Sequence, residues 1–238
     1  MISRINISIF TQKRVIIGVL LGIGVTLIVT VLSLMELMED FELKTLDYRF
    51  LIRGPRDVTD DIVIVAIDDV TIQGLKQGWP ISRDFYALLV DYLSKYGAAV
   101  IAFDILFIDR DIEHPERDHL LSHVTNNAGN VLHSIGFRFE SSDQHFAKML
   151  SSEETELLTR FSLSTTQTYP TNFSRASSIL PFLPDLLFSS KNIGHVNMQP
   201  DSDGLTRHLE LVIEFNGHLY PALPLAATCN YLNREKKM

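Results

Sequence analysis

From Val15 to Met35 the chain runs for 21 residues without a charge, VIIGVLLGIGVTLIVTVLSLM. A helix rises about 1.5 Å per residue, so this run reaches about 30 Å, the thickness of a bilayer's hydrocarbon core. A helix buried in a water-soluble protein is seldom apolar on every side over that length. Residues 15–35 are therefore read as a transmembrane helix. A cleaved signal peptide would carry a shorter apolar region closing on a small-x-small site, which Leu34-Met35-Glu36 is not, so an uncleaved anchor is expected.

The flanks set the orientation. Lys13 and Arg14 lie directly before the span, and Glu36, Glu39, Asp40 and Glu42 follow it. Basic residues stay on the cytoplasmic side. Residues 1–14 are thus expected in the cytoplasm and the bulk of the chain outside the cell (inner) membrane, in the periplasm of a bacterium. The net charge is −8; residues 1–35 carry +3 through Arg4, Lys13 and Arg14, so the remainder carries −11. So acidic a body is a poor nucleic-acid binder, because neutralising phosphates needs a basic surface. Cys229 is the single cysteine, which excludes an internal disulfide and any multi-cysteine metal site. Its apolar surroundings make it read as a buried structural thiol, and an exported domain without disulfides points to a bacterial envelope.

Within the span, Gly18, Gly22, Thr26 and Thr30 recur every fourth residue. Such a stripe allows two helices to approach closely, as in transmembrane dimers, but Gly and Thr are also common in membrane helices generally. Both readings stand.

Beyond the span, Leu34, Leu37, Phe41, Tyr48 and Ile52 fit one helical face, so a juxtamembrane stalk helix is expected over residues 36–56, ended by Arg53-Gly54-Pro55. The β-branched run Ile62–Ile67 reads as a buried strand. Ser82 is placed to cap a helix from Arg83 to Tyr96 with Phe85, Leu88, Leu89, Tyr92 and Leu93 inward, and Gly97 stops it. Ala98–Phe103 reads as a second strand, which makes a parallel crossover. A helix near Asp118–Asn127 and a strand Val131–Ile135 repeat the unit, whereas residues 137–178 give no clear pattern. Strands then follow at Ile193–Asn197 and Thr206–Phe215, with a turn at Gln199–Gly204 between them. Asn216-Gly217 signals a hairpin to His218–Tyr220, and Pro221–Leu232 fits a closing helix with Pro in its first turn. The expected fold is α/β. One N-terminal transmembrane helix precedes an extracytoplasmic domain, residues 57–232, whose mixed sheet begins in parallel crossovers and ends in an antiparallel hairpin. Residues 233–238 form a polar tail.

Several blocks of the external part resemble the type 2 CHASE domain, a sensory module found outside the membrane in bacterial receptors. They are Leu43–Phe50 with Arg53-Gly54-Pro55, Ala66-Ile67-Asp68-Asp69, Gly78-Trp79-Pro80 with Arg83, Gly97-Ala98, Phe103–Phe107, Gly194-His195-Val196-Asn197, and Asp201-Ser202-Asp203-Gly204 with Arg207. A homodimer is expected, and the resemblance implies a receptor domain that is followed in its family by further spans and a cytoplasmic cyclase, kinase or other signalling output. This chain stops at Asn233–Met238 without either. It is thus expected to be a receptor portion lacking its output module, or one acting through a partner chain.

Asp68, Asp69 and Asp104 end two expected parallel strands, where open α/β sheets commonly bind ligands. Three carboxylates gathered there could hold Mg²⁺ or Ca²⁺, or a cationic ligand. They could equally cap neighbouring helices through backbone N–H groups. Trp79 and Arg83 could line a recognition pocket, or Trp79 could be a core residue beside a helix start. Asp201-Ser202-Asp203-Gly204 looks like the opening of a calcium loop, but position 212 is Val where such a loop needs Glu, so a turn with Gly at positive φ is expected. His119 and His123 share a helix face that is expected to be solvated. Neither Asp68-Asp69-Val70 nor Asp104-Ile105-Leu106 has the Asp-x-Asp spacing of a haloacid-dehalogenase-type phosphohydrolase. There is also no phosphate-binding glycine loop, no Gly-x-Ser-x-Gly and no His-Glu-x-x-His. No enzyme activity and no cofactor is expected, and no metal is assigned. The candidate ligand-binding residues are Asp68, Asp69, Trp79, Arg83 and Asp104, for an unknown extracytoplasmic ligand. The rival expectation is an envelope protein that holds a partner and senses nothing.

Overall fold

The computed structural model describes residues 3–34, 39–75, 78–139, 150–164 and 173–232. These residues fall into two compact units, one running up to Ile64 and including Pro200–Leu205, the other built from Val65–Gln199 and from Thr206 onward.

In the first unit, helix α1 covers Ser3–Leu34. Its stretch Lys13–Ser33 is long and apolar enough to cross a membrane, and none of it is buried. Thr26 and Thr30 turn their hydroxyls back onto the carbonyls of Gly22 and Thr26, both at 2.8 Å. Both hydroxyls are satisfied within the helix. Helix α2, Glu39–Arg53, ends as expected, with Gly54 at φ +69° donating its N–H to the Phe50 and Leu51 carbonyls. The stalk's covered face differs from the expected one. Leu43 is buried and Leu46 half-buried, while Phe41, Tyr48 and Ile52 are exposed; Leu34 and Leu37 fall outside the described side chains. Farther on, Gly204 at φ +81° closes a turn onto the Asp201 carbonyl, the turn expected in place of a calcium loop.

The Ile62–Ile67 run is not a strand. Ile62, Val63 and Ile64 are 78–86 % exposed, and only Ile67 packs against the core. An apolar β-branched run expresses a preference for sheet, but a strand exists only where another edge hydrogen-bonds to it.

The second unit opens with α3, Asp69–Gly74, and α4, Arg83–Lys95. They lead to β1, Ile101–Phe103, then α5, Pro115–Ala128, then β2, Val131–Ile135. The stretch without a clear sequence pattern contributes β3 (Phe137–Arg138), α6 (Ser152–Arg160) and β4 (Ser174–Arg175). Next come β5 (Ser178–Ile179), α7 (Pro184–Ser189) and β6 (Asn192–His195). The hairpin β7 (Val212–Phe215) and β8 (His218–Pro221) turns at Asn216 and Gly217, both at positive φ, and α8, Leu223–Tyr231, follows. The closing helix starts two residues later than expected. Pro221 ends β8, and Pro224 takes the position in the helix's first turn.

The α/β class and the mixture of parallel and antiparallel pairing hold, but the described strands form three small sheets rather than one. The central sheet, β1-β2-β6, is wholly parallel, with Phe103 opposite His133 and His133 opposite Ile193. Its Ile101, Phe103 and Val131 pack with Tyr86, Ala87 and Val90 of α4 and Leu121 of α5. On the other face, Leu132 meets Leu223 and Ala226 of α8. Gly194 belongs to that second face, where a Cβ would lie 2.4 Å from the Leu223 Cα. Only a residue without a side chain allows β6 and α8 so close. On α4 the inward face is rotated from the expected one. Phe85 and Leu93 are partly buried, but Leu88 and Tyr92 are 64 % and 56 % exposed. The helix carries apolar residues on more than one side, and the aromatic cluster of Phe103 and Phe107 selects the side bearing Tyr86.

Candidate functional site

Where β1 ends, the chain enters a loop that forms one wall of a cavity of about 280 Å³. The other wall is Trp79-Pro80-Ile81 with Arg83 and Tyr86 from the first turns of α4. Arg83 is the first residue of that helix and only 13 % exposed. Its Nε lies 2.9 Å from Oδ1 of Asp118, itself 8 % exposed on α5. A second guanidinium nitrogen donates to the Asp109 carbonyl at 2.5 Å, and the group lies over the Phe107 ring, 5.6 Å from its centroid. Asp118 also accepts the Asp111 N–H at 2.8 Å. One ion pair thus joins α4, α5 and the loop after β1. Farther along that loop's wall, Ser134 of β2 donates its hydroxyl to the Ile105 carbonyl at 2.8 Å.

Arg117 adds weaker bridges to Asp84 at 3.9 Å and Asp111 at 3.7 Å. Ser82 stands at the N-cap of α4 but does not cap it with its side chain, because its hydroxyl bonds the Asp84 carboxylate instead. The first-turn N–H groups of α4 therefore remain without a side-chain acceptor from Ser82, beside the guanidinium.

The five candidate residues fall in three places. Trp79 and Arg83 come together in this cavity, with Trp79 63 % exposed at its rim rather than in the core. Asp68 caps α3, accepting from the Thr71 N–H at 2.8 Å and the Thr71 hydroxyl at 2.7 Å. Those two donors hold the Asp68 carboxyl below the usual carboxylate range. Asp69 sits in the first turn of the same short helix. Asp104 lines a different cavity, on the α8 side of the sheet. Among the described residues no three His, Cys, Asp or Glu side chains gather as a metal set, so the carboxylate trio does not form one. His119 and His123 are exposed on α5, and Cys229 is half-buried rather than buried.

The CHASE2 domain model matches residues 23–238. The chain belongs to the CHASE2 domain family. CHASE2 domains are sensory extracellular domains of signalling receptors. Neither the curated proteins nor the solved structures contain a match to the chain. The blocks that carry the resemblance have structural work in this CHASE2 domain. Gly194 admits α8 to the sheet, and Asn197 brackets the Phe137 backbone, accepting its N–H at 2.8 Å and donating to its carbonyl at 2.6 Å. Phe107 lies beneath the Arg83 guanidinium, and Phe103 packs edge-on against Phe107.

Sequence reasoning missed Asp118, the counter-charge that makes Arg83 tolerable indoors. A signal was present. Asp118, Leu121, Ser122 and Thr125 share one helical face and are all buried, so the acid lies on the inward stripe rather than among the solvated positions. His133 and His195 were also missed. His133 stacks on Phe103 at 5.1 Å, and burial pushes its pKa down to about 3. His195, fully buried beside Phe137, is pushed down to about 4 by the same cause.

Proposed function

We propose that this CHASE2 domain is the membrane-anchored, extracytoplasmic input of a bacterial signalling receptor, and that the cavity framed by Trp79 and Arg83 receives its stimulus. The observation that carries this reading is the family match, which begins at residue 23, inside the apolar stretch Lys13–Ser33 of α1. The sensory fold and the candidate span therefore belong to one unit of family sequence. Lys13 and Arg14 before the stretch, and the acids after it, support an N-terminus on the cytoplasmic side. The small-residue stripe of α1 supports pairing of two copies, and a cyclase or kinase is the output such a pair serves.

The cavity suits binding rather than catalysis. A guanidinium has five N–H donors, and Asp118 and the Asp109 carbonyl occupy only part of that set. A small ligand bearing a carboxylate or carbonyl oxygen takes up the remainder while its apolar part lies against Trp79, Pro80 and Ile105. Trp79 is the only tryptophan of the chain, so its emission reports the site alone.

Two measurements test the proposal. Alkaline phosphatase fused to the C-terminus is expected to be active, and an inactive fusion that is intact in the cytoplasm overturns the topology. A screen of small carboxylates against the full chain in nanodiscs is expected to give ligands that shift both Trp79 emission and the melting temperature. If those melting shifts persist unchanged in Arg83→Lys and Trp79→Leu, the cavity is not the receiving site.

A further inference from the structure

A second cavity, of about 270 Å³, opens on the opposite side of the same strand end. Alternation along β1 sends Ile101 and Phe103 toward α4 and α5, and Ala102 and Asp104 toward α8. Asp104 stands at the mouth, exposed, with no hydrogen bond or ion pair to its carboxylate among the described residues. The walls are aliphatic, made by Ala102, Leu209, Leu223 and Ala227, and Met198 lies 65 % exposed at the rim. His195 borders the cavity through the strand, but its ring is packed beside Phe137. Asp104 therefore supplies the one negative charge of a lining that is otherwise apolar.

We propose that this cavity is a second binding site, for a small organic amine whose ammonium group pairs with Asp104 and whose apolar body fills the space between Leu209, Leu223 and Ala227. The charge decides the class. A carboxylate at the edge of an apolar pocket attracts a cation and repels anions. The volume decides the size. Ligand sites for drug-sized molecules run from about 300 to 1,000 Å³, so this one takes a single ring or a short chain. The place fits as well, since open parallel sheets bind ligands beyond the carboxyl ends of their strands. A thioether at the rim adapts its shape to what enters. None of these residues lines the cavity of Trp79 and Arg83, so this site stands or falls independently of that one.

The probe is cyclohexylmethylamine, titrated calorimetrically into the full chain in zwitterionic nanodiscs, with empty nanodiscs as the blank and cyclohexylmethanol as the neutral isostere. Saturable binding of the amine is expected, at least tenfold weaker for the alcohol. Asp104→Asn, a surface change that leaves the fold intact, is expected to weaken the amine at least tenfold. Ala227→Phe, which fills the cavity, is expected to abolish binding. Absence of saturable heat with the native chain overturns the proposal. So does equal affinity for amine and alcohol, or an Asp104→Asn chain that binds the amine as tightly as before.

Discussion

Two histidines buried without adequate partners make the domain sensitive to mild acid. His133 is 2 % exposed, sandwiched against Phe103 and Phe107, with its Nε2 a long 3.4 Å from the Thr125 hydroxyl. Among the described residues its Nδ1 has no hydrogen-bond partner, and neither has either ring nitrogen of His195. Burial depresses both pKa values, to about 3 and about 4, against 6.5 for an unperturbed histidine. Because the folded values lie below the unfolded one, the unfolded chain takes up protons first. Stability is complete above pH 6.5 and falls as the pH drops toward the folded values. One pH unit is worth about 1.4 kcal/mol per such group, so going from pH 7.5 to 5.0 removes about 2 kcal/mol per histidine and about 4 in total. Urea unfolding of the full chain in nanodiscs, followed by far-ultraviolet circular dichroism, reads this directly. With an m-value of about 2 kcal/mol/M, the midpoint is expected to fall by about 2 M. His133→Leu and His195→Leu, which keep roughly the same volume, are each expected to flatten the dependence by about half. A native midpoint that does not move between the two pH values refutes the reasoning, as does a double variant with the native slope.

Two further expectations concern packing. Gly194→Ala places a methyl group against the Leu223 backbone, 2.4 Å from Cα and 2.6 Å from N, where no flexible side chain can yield. Overpacking of this kind costs about 1–3 kcal/mol, and a lowered urea midpoint at pH 7.5 is the measurement. Asp118→Ala leaves the Arg83 guanidinium, 13 % exposed, without its counter-charge. Breaking a buried pair from one side costs about 3–5 kcal/mol, so this variant is expected to be less stable than Arg83→Met with Asp118→Leu, where both charges are gone. The same urea titration ranks the two.

Where local chemistry decides an element, the sequence was sufficient. Asn216-Gly217 made the hairpin because few other pairs accept positive φ at both positions. Val131–Ile135 is legible residue for residue, a short segment set between the helix stop at Gly129 and Gly136. Ile62–Ile67 failed because strand formation is a property of two segments, and the second cannot be read from the first. The inward face of α4 failed for a related reason. Leu88 and Tyr92 are as apolar as Tyr86 and Val90, and only the position of Phe103 and Phe107 distinguishes them. The candidate site was half legible. Trp79 and Arg83 were singled out as recognition residues, but a burial as deep as Arg83's depends on Asp118, thirty-five positions away by number and on a different helix.

For a stimulus at Arg83 to be felt beyond its own cavity, it must favour one arrangement of the surroundings over another. The guanidinium offers two exchanges of unequal cost. A ligand oxygen that displaces the Asp109 carbonyl frees the loop after β1 at that point only, since Asp111 still donates to Asp118, and leaves the pair with Asp118 whole. One that displaces Asp118 strands a carboxylate that is 8 % exposed, a loss of several kcal/mol. On the proposed reading, then, the loop is the element that responds, and α4 and α5 stay fastened. A hydrogen bond to a charged group contributes about 1.5–3 kcal/mol, a shift of about ten- to hundredfold between two states. Complete conversion from 1:99 to 99:1 needs about 10⁴-fold. A single exchange at Arg83 therefore gives a graded response, and an all-or-none one requires two copies of the domain to change together.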